Sequence, residues 1–125
     1  MTLTFRRFNP RDRSDCVRVF GSNQPKFFRE SELPDFEAFI DSAACPFFVV
    51  EQECVIVGCG GYGIHDGSQL ADLCWGMVTP DYHGNHLREY LLLARLYEIT
   101  SREQVNGVRL ATSQHTDGFF RNMGR

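Results

Sequence analysis

The sequence predicts a single α/β domain with elements in the order β-α-α-β-β-β-α-β-α. Three observations carry this. The stretch Asp72–Ile99 passes from an apolar run of strand length, Leu73–Val78, through the turn residues Pro80, Asp81 and Gly84 into a helical pattern from about Asn85. Asn106-Gly107 closes that pattern, and Val108–Thr112 reads as a fifth strand, joined to the fourth by a helix and so parallel to it. Upstream, Phe47–Glu51 and Val55–Cys59 read as two strands joined by a tight turn at Gln52-Glu53.

Each element has its own signal. Leu3–Phe8 alternates Leu3 and Phe5 with Thr4 and Arg6, as a half-buried strand does, and Asn9-Pro10 ends it. Asp12–Phe20 is helical with Cys16, Val19 and Phe20 on one face, and Gly21 stands where a C-terminal cap would. Ser22–Arg29 is a loop carrying Phe27 and Phe28, and a second helix starts near Pro34 with Phe36, Phe39, Ile40 and Ala43 at i, i+3, i+4, i+7. Gln69–Val78 is the fourth strand. In the long helix Leu87, Leu91, Ala94, Leu92, Leu96 and Ile99 form one wide apolar stripe, with Arg88, Glu89, Arg95, Glu98 and Arg102 mostly on the other side. Glu98 and Arg102 make a favourable i,i+4 pair. Ser113–Met123 holds a last short helix.

Composition narrows the function. The chain of 125 residues forms one domain with a single core, and 42% hydrophobic and 23% charged residues are ordinary for a soluble protein. A net charge of −3 argues against nucleic acid as the main partner. No apolar run is long enough to span a membrane, and Arg6, Arg7 and Arg11 lead into no signal-peptide segment. Cys16, Cys45, Cys54, Cys59 and Cys74 are an odd set without CxxC spacing, and they read as buried free thiols of a reducing cytoplasm. Gly58–Gly63 spells G-x-G-x-x-G, but a dinucleotide site needs a helix next, whereas Ile64–Ser68 reads as a turn. These glycines therefore serve strand bending or close backbone approach.

A strand that turns into a helix leaves backbone N–H groups free at the helix start, where the helix dipole is positive, and that is a natural phosphate seat. The residues here carry a resemblance. WGMVTPDYHGNHLREYLLLARL is similar to the acetyl-CoA-binding motif of the GNAT superfamily of acyltransferases, with Pro80, Tyr82, His83 and Gly84 matching its pattern. His86 and Arg88 stand where that motif has its two later glycines. FVVEQECVIVGCGGYG resembles the second and third strands of the family, and TDGFFRNMG resembles its Tyr-x-x-x-Gly-Phe helix, with Phe120 at the tyrosine.

The resemblance implies a GNAT-like, mostly antiparallel sheet flanked by helices, and a chain that lacks the last two strands of the fold. It implies transfer of an acetyl group from acetyl-CoA to a primary amine of a small molecule or peptide, by direct attack on the thioester. The non-catalytic alternative is a GNAT-like module that binds CoA or acts through protein contacts. Cofactor contacts then fall to Gly76, Met77 and Val78 on the strand, to His83, Gly84, Asn85, His86, Leu87 and Arg88 at the helix start, and to Phe120. Phe27 and Phe28 line the acceptor side or plug the core. Asp72 stands at the strand position where several relatives carry a glutamate base. A carboxylate between Ala71 and Leu73 is either a base of raised pKa or a solvated strand-end group.

His65 and Asp66 are a second choice of base, and Tyr82, Ser113 and His115 are the acids within reach, since Phe120 has no proton to give. His83 and His86 form an H-x-x-H pair without a third metal ligand and read as loop residues. Arg88 pairs with a phosphate or is simply solvated. The resemblance also leaves one edge of Val108–Thr112 to be covered by a second subunit or by strands of a longer chain, with Arg109 as a mild guard of that edge.

Overall fold

The computed structural model describes residues 2–23, 30–65, 69–80 and 86–110. Within them lie β1 (Leu3–Arg7), α1 (Arg13–Ser22), α2 (Leu33–Ser42), β2 (Phe47–Gln52), β3 (Val55–His65), β4 (Leu70–Val78), α3 (Leu87–Arg102) and β5 (Gly107–Leu110). The strands form one sheet in sequence order; β1 to β4 are antiparallel neighbours and β5 joins β4 in parallel. The last expected helix and the final two residues of the expected fifth strand lie outside the described residues.

Most elements form where the pattern put them, and their ends show why they stop. Asn9 and Asp12 make a reciprocal capping box ahead of α1. Arg6 reaches the same Asp12 with contacts of 2.9 and 3.0 Å, and Glu51 at 2.9 Å, which joins β1, the α1 entry and β2. Those hydrogen bonds hold the Asp12 carboxyl below its usual range. Gly21 does not cap α1, because the helix runs past it. Asn23 ends the helix instead. Its side chain donates to the carbonyls of Val19 at 2.9 Å and Val78 at 3.0 Å, tying the end of α1 to the end of β4. Ala43 is not part of the α2 core face; it is the left-handed C-cap, with φ 55. The β2–β3 turn falls one residue later than expected, on Glu53 and Cys54, whose φ values of 51 and 71 are those of a two-residue hairpin.

The glycine-rich run lies inside β3, which continues through to His65 and does not turn at Ile64. Gly61 shows what the run is for. A Cβ there would stand 2.5 Å from the Pro46 carbonyl oxygen and 2.9 Å from the Phe47 ring, and that carbonyl already accepts from the Tyr62 N–H at 3.1 Å. Neither neighbour can yield without breaking the β2 entry. Gly61→Ala is therefore expected to cost about 3 kcal/mol. A urea midpoint within error of the parent would show that this approach is not constrained.

The sheet buries both faces. Helices α1 and α2 cover one, where Cys16, Val19, Phe20, Phe36, Ile40, Phe47, Trp75 and Met77 meet. Helix α3 covers the other, over Phe48, Tyr62, Leu73 and Ile99 near its end and Val50, Val57, Val78, Leu87 and Leu91 near its start. All five cysteines are free thiols, but only Cys16 and Cys59 are buried; Cys54 is exposed. No described helix is long and apolar enough to cross a membrane.

Candidate active site

The site is built from an irregularity in β4. Its register against β3 passes from Gly61↔Cys74 to Cys59↔Met77, so Trp75 and Gly76 together oppose Gly60. Trp75 takes φ 53, a conformation costing a bulky residue about 1–3 kcal/mol. The indole repays it. It packs against Phe20 and Phe36, with ring centroids 6.3 and 5.3 Å away, and places Cys74, Trp75 and Met77 in the cluster under α1 and α2. This is a β-bulge, and it bends the strand just past the described ladder to β5. The ladder between β4 and β5 covers Leu70 to Leu73 against Gly107 to Leu110, and the described part of β5 ends there.

Met77 and Val78 are 5% and 2% exposed, with side chains in opposite core clusters, so only their backbone faces a ligand. Leu87 is likewise core. Helix α3 starts at a residue in the left-handed region, His86 with φ 62, which gives no side-chain cap to the first turn. The His86 ring instead lies 3.3 Å from the Glu89 carboxylate. By helix geometry the first-turn amides point back toward the loop that leaves β4. Arg88 is exposed in that turn. His83, Gly84, Asn85, Phe120, Phe27 and Phe28 lie outside the described residues, as do Asp66, Tyr82, Ser113, His115 and the side chain of His65.

Asp72 is not a solvated strand end. It sits inside β4 directly opposite Arg109 of β5, with contacts of 2.8 and 3.2 Å and a side chain 18% exposed. Arg109 therefore holds a carboxylate across the parallel pair; it does not merely guard an edge. Two residues on, burial pushes the Cys74 thiol up to about 12, with Cys45 adding to the effect. Cys74 is thus a neutral thiol near pH 7 and a poor nucleophile. The Tyr62 hydroxyl is engaged away from β4. It donates to Glu103 at 2.9 Å, and burial raises it to about 12.

The sequence pattern missed Arg95. It is not on the solvent side of α3 but 6% exposed against the sheet. Its guanidinium fills the space over Gly60 and Gly76, where a Cβ on Gly76 would meet Nη2 at 2.6 Å. The open side of Gly76 is therefore occupied from below by this cation. A signal was present: Leu87, Leu91, Arg95 and Ile99 are spaced by four, so Arg95 lies inside the buried stripe.

No family model matches the sequence, and no curated protein matches it. Solved structures do. A protein of the GNAT family from Desulfovibrio desulfuricans superposes with a TM-score of 0.77 at 20% identity, over 97% of this chain and 83% of that one. The chain has the GNAT acetyltransferase fold. A GNAT acetyltransferase from Brucella melitensis, in complex with acetyl-CoA, matches with a TM-score of 0.74 at 15% identity, over 95% and 81% of the two chains. An aminoglycoside N-acetyltransferase in complex with CoA matches at 0.67 and 16%, over 97% and 84%. The mixed sheet and the flanking helices expected from the GNAT resemblance are those observed.

Proposed function

We propose that this domain transfers an acetyl group from acetyl-CoA to a primary amine of a small molecule or peptide, by direct attack on the thioester. The observation that carries the reading is the bulge at Trp75–Gly76, set between the described β4–β5 ladder and the start of α3, which has no side-chain cap. A GNAT fold whose solved neighbours hold acetyl-CoA or CoA supports the choice of donor.

On this reading the backbone amides of residues 83–88 hold the pyrophosphate, because unpaired N–H groups and the helix dipole favour an anion there. N–H groups of Gly76–Val78 polarise the thioester carbonyl. Asp72 accepts the amine proton through a water. Arg109 fixes the position of the Asp72 carboxylate from β5. The nitrogen–carbon bond forms, the carbon–sulfur bond breaks, and the departing thiolate takes a proton from solvent. Phe27 and Phe28 line the acceptor side.

Thermal unfolding with and without acetyl-CoA tests the reading. At a ligand concentration a hundred times Kd, binding adds about 2.7 kcal/mol, or roughly 10 °C in Tm for a domain of this size. No shift at millimolar acetyl-CoA would sink the proposal. Replacing both His86 and Arg88 with glycine separates backbone from side-chain binding: affinity is expected to hold or improve, and a large loss would make those side chains the ligands.

A further inference from the structure

Among the described residues, Arg95 is the one buried cation, and the proposed chemistry leaves it unused. Its Nε donates to the Leu91 carbonyl at 3.4 Å and its Nη1 to the Gly61 carbonyl at 3.3 Å, both long. Nη2, turned to Gly76, has no hydrogen-bond partner among the described residues, and Arg95 forms no ion pair among them. Burial lowers the group to about 10, so it remains a cation at neutral pH. A charge set between two apolar clusters with only weak carbonyl partners is costly, and a good anionic partner would offset the cost.

The position restricts that anion. Gly76 belongs to the bulge of β4, beyond the described ladder to β5, so Nη2 abuts the strand segment assigned above to the thioester. Arg95 follows Leu87 by eight residues, about 12 Å along the helix axis, so a pyrophosphate at the start of α3 does not reach it. An acetyl methyl brings no charge. The group that fits is a carboxylate carried at the far end of the acyl chain.

We propose that the site takes an acyl thioester whose acyl group ends in a carboxylate, of the malonyl or succinyl class, and that Arg95 receives this carboxylate. The inference rests on the transferase reading above and extends it from acetyl to carboxylated acyl groups. The transfer itself is unchanged: the same carbon–sulfur bond breaks, the same nitrogen–carbon bond forms, and the distal carboxylate stays intact.

Titration calorimetry on the full chain with CoA, acetyl-CoA and succinyl-CoA decides it, using the parent and Arg95→Met. The parent is expected to bind succinyl-CoA about tenfold more tightly than acetyl-CoA. Arg95→Met is expected to erase that preference while CoA affinity changes less than about threefold. Equal affinity of the parent for the two thioesters overturns the inference and leaves the transferase reading standing. Binding of none of the three overturns the transferase reading and this inference with it. A succinyl preference that survives in a folded Arg95→Met protein overturns the assignment to Arg95. If Arg95→Met does not fold, Arg95→Lys, which keeps the charge on a different geometry, replaces it: a preference unchanged from the parent overturns the assignment, and a weakened one upholds it.

Discussion

Phe36→Ala is expected to destabilise the domain by about 3–5 kcal/mol. Phe36 has no exposed surface, stacks on Phe20 with ring centroids 5.3 Å apart and 16° between planes, and meets Trp75 at 5.3 Å and Phe47 at 6.0 Å. Truncation removes the apolar surface and also the ring contacts, and leaves a cavity between α2 and the sheet. Those losses approach the whole stability of an ordinary small domain. Urea unfolding at unchanged m-value measures the effect. A loss below about 1 kcal/mol would show that the cluster under α2 repacks freely. The site feels the same change, because Phe36 is a wall of the pocket that keeps Trp75 in its left-handed conformation.

Asp72→Asn should lower turnover on a responsive amine by about a hundredfold or more, with acetyl-CoA affinity nearly unchanged. The substitution keeps the shape and an acceptor for Arg109 but removes the charge that receives a proton. Its cost in stability is small, about 1 kcal/mol at most, since the ion pair is partly open to solvent, with side chains 31% and 18% exposed. Full turnover in the variant would remove Asp72 from the mechanism. Loss of turnover together with loss of acetyl-CoA affinity would assign it to building the cleft.

Much of this architecture was legible in the chain because period and turn chemistry are local. The alternation in β1, the apolar run of β4 and the stripe of α3 are read from neighbouring residues. What was not legible depends on register. Arg109 looked like an edge charge until the parallel pairing set it opposite Asp72, and that pairing is decided by a helix and both sheet faces together. The bulge was hidden for a related reason. Nothing local favours a left-handed tryptophan; a cluster of aromatic rings from α1 and α2 imposes it. Arg95 was assigned outward because arginine seldom lies buried, and only the vacancy over Gly60 and Gly76, two positions on different strands, shows why it turns in. Gly21 illustrates the opposite error: a capping residue by type, overruled by an asparagine with a better pair of acceptors.

The parallel strand has a consequence for the order of assembly. β2, β3 and β4 follow one another through short connections, so their contacts close early and at modest entropic cost. β5 comes home only after the 28-residue crossover of residues 79–106, and four ladder positions hold it among the described residues. A strand returned by so long a connection docks after β2, β3 and β4 have met. Its ladder to β4 is thus one of the later contacts of the sheet to close. A ligand gripping both strands would act as their clasp, and its presence would register as slower amide exchange along β5 before any change in the core.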